Sequence, residues 1–582
     1  GAYNTDDMTR AAVVYLRHWR QFGDAHSREA AYGLLRSVAY MQTVTPGPEQ
    51  GNFVLWMQPD GTLNPSAEPR ELPDPSDSGP SYWLARAIWA YGEGYEAFRD
   101  EDPAFAAFLE GRMELALDAL DRQVLSHYGE TKVLDGSEVP AWLIVDGADA
   151  SSEAVYGLSA YVRAGGDERA RRDLAQLADG IARMREAETS GWPFGAILPW
   201  AGSRSVWHGW ADQMSGSLAE AGTVLGDERL VSTAVGEVGT FTPHLLVQGG
   251  AEQGWLPAPI DRSQIAYGAD ATLQNLMQVG DATGRDSFRR LAGIAGAWYF
   301  GNNRSGARMY DPATGRTFDG LGADGNINRN SGAESTIHGL LSMLALDANP
   351  DVRERALRAG RTGQLTWSVV EAEAGRLKGD ARIVRPESAW TGEGQWSGGA
   401  YVELRPGSRV LGNATLPAGG RYRVLPVFNR QQAPERSVGT RHGVDGTPFG
   451  IAWQGGAGAP GISPTPGYLD IGNVGSEKTF ASGSASISSA YVGDGRPARL
   501  DALLVQPEIE RLLLTGEVGG QGLLRSWSDE RRVTRVAMGS GEVTAYAYDQ
   551  RGRLVETAEG AAGTVAAPVA PGGFTYLQGS SD

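Results

Sequence analysis

Residues 81–98, SYWLARAIWAYGEGYEAF, and 99–124, RDEDPAFAAFLEGRMELALDALDRQV, decide how most of the first 365 residues fold. In the first run Leu84, Ile88, Tyr91, Tyr95 and Phe98 recur at steps of four, three, four and three. That spacing is one stripe of an α-helix. In the second, Phe105, Leu109, Met113, Leu117, Leu120 and Val124 form another. Asp102-Pro103 joins them. Asp accepts the free N–H groups that open a helix, and the fixed φ of Pro suits the first helical position. The stretch reads as a helix hairpin with a tight turn.

The same unit recurs on both sides. Gly23-Asp24, Gly166-Asp167, Gly226-Asp227, Gly280-Asp281 and Asn349-Pro350 are turns of this kind, with Gly supplying the left-handed stop. Six hairpins predict helices near 6–22, 26–44, 81–98, 104–126, 151–164, 168–187, 207–225, 228–238, 262–279, 285–300, 332–346 and 351–360. The connections between hairpins are long: 45–80, 127–150, 188–206, 239–261 and 301–331. If the hairpins close a circle, every long loop lies on one face, where sites are built on a rigid scaffold. The alternation resembles the (α/α)6 toroid of many glycoside hydrolases; a superhelical stack of hairpins is the alternative.

Beyond about residue 365 helical periodicity gives way to short alternating runs, such as Ala400–Leu404, Arg421–Val427 and Ser484–Ser489. They predict an antiparallel β-sandwich, jelly-roll-like, over 366–508, then a small β domain over 509–582. The expected organisation is thus an all-α toroid over 1–365 followed by two β units. Val369–Gly375, Trp396–Leu404 and Arg499–Leu503 resemble strands of carbohydrate-binding modules of families 6 and 35. That resemblance implies a structural calcium held by Glu371, Glu373 and Asp501, an oxygen-rich set that suits this ion. Trp390, Trp396 and Trp453 are candidates for a sugar platform.

Composition narrows the partners. Across 582 residues the net charge is −18 and cysteine is absent. An acidic chain repels nucleic acid and anionic membrane surfaces, and without Cys there is no disulfide, thiolate nucleophile or Cys-ligated zinc. No apolar run is long enough to span a bilayer. Gly-x-Ser-x-Gly elbows, phosphate loops and dinucleotide fingerprints in context are missing, so no catalytic cofactor is expected. The expected localisation is secreted, any signal peptide having been removed before Gly1.

The long loops carry indoles and carboxyls. Trp56, Trp142, Trp192, Trp207, Trp210 and Trp255 are candidate platforms for the apolar face of a sugar ring, with Asp77, His208, Asp324 and Asn330 as hydroxyl partners. Asp149, Glu153, Asp212 and Glu334 are the candidate catalytic acids and bases, since glycoside cleavage needs two carboxyls in different protonation states. Asp311–Gly320 and Asn328–Ser335 resemble the last active-site loop of glycoside hydrolase family 9, which implies Glu334 as the acid. The expected partner is a neutral or lightly substituted saccharide and the expected reaction is two-carboxylate hydrolysis, with inversion implied only by analogy. The alternatives are a polysaccharide lyase and a non-catalytic glycan-binding protein.

Overall fold

The computed structural model describes residues 3–64, 79–186, 188–387, 395–463, 465–472, 474 and 478–580. The helices are α1 (Thr5–Phe22), α2 (Ala25–Met41), α3 (Tyr82–Phe98), α4 (Pro103–Gln123), α5 (Ala148–Arg163), α6 (Glu168–Ala182), α7 (Met214–Leu225), α8 (Glu228–Gln248), α9 (Ala266–Thr283), α10 (Asp286–Gly296), α11 (Ala333–Ala348) and α12 (Pro350–Ala356). Asp24, Asp102, Asp167 and Asp227 each accept a backbone N–H from the helix they precede. Gly23 and Gly226 stop α1 and α7 at φ 69° and 67°.

Several boundaries differ from expectation, and α8 runs on to Gln248 through ten residues expected to open a long connection. Gly280-Asp281 lies inside α9, and the stop is Gly284 at φ 65°; the apolar stripe outruns the Gly-Asp pair. Trp207 and Trp210 precede α7 in an irregular segment, because Ala211 at φ 55° breaks any helix before Met214. Asp261 ends a short strand (Ala258–Asp261) rather than starting α9.

The odd-numbered helices form the inner wall. α1 packs on α3, α3 on α5, α5 on α7, α7 on α9, α9 on α11, and α11 returns to α1. This closure excludes an open superhelical stack. Even-numbered helices pack outside, each against its hairpin partner. α3 and α5 approach unusually closely: a Cβ on Gly92 would lie 1.9 Å from the Gly157 carbonyl oxygen, and one on Gly157 would lie 2.2 Å from that of Ile88.

The second half is antiparallel β. One sheet of the sandwich is built on Tyr401–Leu404, Ala498–Pro507 and Gly420–Arg430; the facing sheet is built on Arg409–Leu416, Gly483–Gly493 and Val438–Val444. The strand Gly360–Leu365 pairs with Ile509–Gly516, so the chain enters the terminal sheet, makes the sandwich and returns. One continuous apolar core joins the ring to these units: it runs from Leu16 and Trp89 through Trp207 and Trp255 to Trp367, Leu504, Leu512 and Tyr576. A fully buried side chain of this kind contributes roughly 1.5–3 kcal/mol.

A candidate active site at the mouth of the ring

All six inner helices begin at one end of the toroid, and polar side chains gather around the starts of five of them and the segment before α7. The helices' positive dipole ends converge there. α1 brings Asp6, Asp7 and Arg10, α3 Tyr82 and Arg86, and α5 Asp149 and Glu153. α9 brings Tyr267 and Asp270, and α11 Glu334 and His338; His208, Trp210 and Asp212 come from the segment leading into α7.

One half of the network centres on Asp149. Its Oδ2 accepts the Tyr82 hydroxyl at 2.7 Å and lies 3.5 Å from His208 Nε2. His208 Nδ1 is 2.8 Å from the Trp210 carbonyl oxygen. A carbonyl only accepts, so Nδ1 carries the proton and Nε2 presents a lone pair toward Asp149. Burial pushes the Asp149 carboxyl up to about 7 and the His208 imidazole down to about 4. The His208 ring stacks flat on Trp210, centroids 3.9 Å apart. Trp210 and Tyr82 are half-buried, their ring centroids 6.1 Å apart.

The other half centres on His338. Its Nδ1 is 2.8 Å from Asp270 Oδ2 and its Nε2 is 3.1 Å from Arg10 Nη1. Arginine only donates, so Nε2 accepts, Nδ1 donates to Asp270, and the ring is neutral. Burial holds His338 below the ordinary histidine value. Tyr267 stacks on it at 3.7 Å and donates its hydroxyl to Glu153 Oε1. Arg86 Nε donates to Glu153 Oε2 at 2.7 Å, and its Nη1 pairs with Asp6 at 2.9 Å. Two fixed cations thus lie in the network, Arg10 paired with Asp7 and Glu334 and Arg86 with Asp6 and Glu153.

The sequence-derived candidates divide sharply. Asp149, Glu153, His208 and Trp210 meet in this network. Glu334 stands at its rim, 46% exposed and 3.3 Å from Arg10. Asp212 lies beneath it, buried, its carboxyl pushed well up by burial and by the neighbouring Glu237 and Asp149 charges. Trp56 is half-buried in a strand paired with Tyr3–Asn4, beside the start of α1. Trp192, Trp207 and Trp255 are buried in one aromatic cluster with Phe241. Trp142 is buried against the outer layer, its indole N–H donating to the Gln176 carbonyl. These four indoles pin loops to the ring and offer no face to a ligand. Asp324 is exposed and holds its own turn through the Asn326 N–H, and Asn330 is exposed on the same loop. Asp77 and Trp390 lie outside the described residues. Arg10, Tyr82, Arg86, Tyr267, Asp270 and His338 were not singled out for the site; their signal is a polar side chain within the first turns of an inner helix.

In the sandwich, Trp396 packs on Tyr401 and is buried against Val206 and Leu256 of the toroid loops, and Trp453 is half-buried. Among the described residues no group of three or more His, Asp or Glu side chains is drawn together tightly enough to hold a metal. Yet both Asp501 carboxyl oxygens, Glu371 Oε2 and Glu373 Oε2 are buried without a partner. Burial, then the charges of Glu371 and Glu373, push Asp501 well above the carboxylate range. These orphaned atoms are hard oxygens, the ligand type calcium prefers. Among the described residues no helix is long and apolar enough to cross a membrane.

No protein-family model matches the chain, and no curated protein matches it. A sugar epimerase from a ruminal bacterium is 13% identical, covering 60% of this chain and 88% of its own, with a TM-score of 0.42. Cellobiose 2-epimerase from Bacillus thermoamylovorans is 11% identical over 59% of this chain and 88% of its own, with a TM-score of 0.43. A family 35 carbohydrate-binding module from Clostridium thermocellum is 17% identical over 25% of this chain and 99% of its own, with a TM-score of 0.19. The expected glycoside hydrolase is corrected: solved structures that cover about 60% of this chain are named as sugar epimerases or an isomerase rather than hydrolases.

Proposed function

We propose that the ring is a carbohydrate-processing enzyme of the epimerase or isomerase kind, acting on a neutral reducing sugar. The observation that carries this reading is a pair of buried neutral imidazoles, His208 and His338, each held in one tautomer, beside a carboxyl poised near neutrality. The open form of a sugar has an acidic C–H next to its carbonyl. In this reading His208 Nε2 takes that proton, and Asp149 and Tyr82 hold the proton network around it. Arg10 and Arg86 supply positive charge for the enediolate oxygen. Return of the proton to the opposite face of the same carbon gives the epimer; return to the neighbouring carbon, with the hydroxyl proton passing between the two oxygens, gives the isomer. Nothing is oxidised or reduced overall, and the half-buried Trp210 and Tyr82 offer faces to the sugar ring.

The test is incubation of neutral aldoses, ketoses and reducing disaccharides in D2O, followed by proton NMR. The expected result is deuterium at the carbon beside the carbonyl together with the epimer or isomer. Absence of exchange in every sugar overturns the reading. His208→Ala is expected to slow exchange by about 10²–10⁴-fold.

We also propose that calcium binds among Glu371, Glu373 and Asp501 and takes no part in the chemistry. Added calcium then raises the melting temperature, a chelator reverses this, and Asp501→Asn removes the response. A melting temperature indifferent to both counts against it.

A further inference from the structure

A concavity lies along the segment that leads into α5. It has a volume of about 410 Å³ and is lined by Pro80, His127, Glu130, Lys132, Val145 and Asp146, among others. Two of these residues tie it to the site. Pro80 stands two positions before Tyr82, and Asp146 stands three before Asp149. Val145 and Asp149, four residues apart, are separated by at most about 14 Å of chain.

The lining is chemically specific. Lys132 Nζ is 2.6 Å from Asp146 Oδ1, and His127 Nδ1 is 2.8 Å from Glu130 Oε2. Each basic group has an acidic partner, so the concavity offers closely spaced donors and acceptors without a strong field of either sign. That suits neighbouring hydroxyls of an uncharged sugar and not a phosphate or carboxylate. Between them Val145 is 41% exposed. A β-branched residue with φ 47° and ψ 35° is a backbone outlier, and Asp146 follows at φ 56°. The segment is held in this shape from behind: the Ala201 N–H donates to the Asp146 carbonyl at 2.8 Å, and Gly147 pairs with Trp200. The strained turn presents an isopropyl group to solvent and aims a carboxylate at Lys132, the combination that packs on a sugar's C–H face while reading its hydroxyls.

We propose that this concavity binds a distal unit of a neutral oligosaccharide whose reducing end occupies the ring site, so that the natural ligand is longer than a monosaccharide. The inference rests on the reading of the ring as sugar-directed. The test is titration calorimetry of glucose and of cello- and malto-oligosaccharides of two to five units, using Asp149→Asn protein to prevent turnover. One series is expected to gain at least about tenfold in affinity as units are added. The Lys132→Met/Asp146→Asn pair of substitutions is expected to abolish that gain and leave glucose binding unchanged. Asn keeps the left-handed backbone accessible, and loss of a half-exposed ion pair leaves the fold intact. A gain that survives both substitutions, or no gain in either series, overturns the subsite. If glucose exchanges deuterium while length brings no gain, the subsite fails and the proposed chemistry stands. If length brings the gain and no sugar exchanges, the chemistry fails and the subsite stands.

Discussion

Burial drives the two members of the Asp149–His208 pair in opposite directions, to about 7 and about 4. Between those values both are neutral, which is the state the proposed chemistry needs. Activity is therefore expected to follow a bell with limbs near pH 4 and 7, read as kcat/KM against pH. Stability separates the two groups. Asp149 titrates at 3.8 when unfolded, so its contribution is complete below that pH and is lost as pH rises to about 7. His208 titrates at 6.5 when unfolded, so its contribution is complete above that pH and is lost as pH falls to about 4. The two slopes oppose each other in the wild type. Asp149→Asn removes one of them, and the variant gains on the wild type as pH rises from about 4 to about 7, by roughly 4 kcal/mol at most. Urea titrations at several pH values read the difference; a difference that stays constant with pH means Asp149 is ionised throughout. Asp149, Glu153, His208 and Trp210 were legible in the sequence because they sit where long loops meet helix starts. Arg10, Tyr267 and His338 were not, since one chain gives no sign that a polar residue on a helix faces inward until the ring is closed.

Helices and their order were legible because apolar stripes recur, stopped by left-handed Gly at 23, 226 and 284 and opened by a capping Asp at 24, 102, 167 and 227. The pattern failed at 280–281, where Gly and Asp sit inside α9, and at 207–213, where the backbone of Ala211 is left-handed. The aromatic loops misled for another reason. Indoles that anchor long loops and indoles that bind sugars have the same sequence signature, and only burial separates Trp192 from Trp210. The packing of α3 on α5 was equally invisible, because it depends on Gly92 and Gly157 facing each other at backbone contact. A methyl group on Gly157 would meet the Ile88 carbonyl oxygen at 2.2 Å, and neither backbone is free to yield. Gly157→Ala is expected to cost about 1–3 kcal/mol or more and to spread the helices that carry Arg86 and Glu153. Melting temperature and exchange rate should fall together. Gly111→Ala, where no neighbour lies within 4 Å, is the control and should leave both unchanged or slightly raised.

The three units behave as one body if their shared interior is considered. Glu510 of the terminal sheet is fully buried and accepts Gln248 Nε2 of α8 at 2.5 Å, with His244 Nδ1 and Arg525 Nη1 each 3.3 Å away. Burial alone would raise this carboxyl, but His244 and Arg525 outweigh it and hold Glu510 below the ordinary value. Trp367 packs on His244 and Trp255 at the same junction. A charge placed there is stable only while all its partners are present. Glu510→Leu would leave Arg525 a buried cation without its anion, a loss of about 3–5 kcal/mol. Because the junction belongs to the ring and the terminal sheet at once, the substitution should lower the unfolding of both together. Calorimetry of the wild type should then show one cooperative transition, and the variant a single transition at lower temperature. A variant in which a β transition moves down while the helical signal melts unchanged would mean that the ring folds without its β partners. In that case the terminal units would be appendages, and the continuous core from Leu16 to Tyr576 would not govern stability.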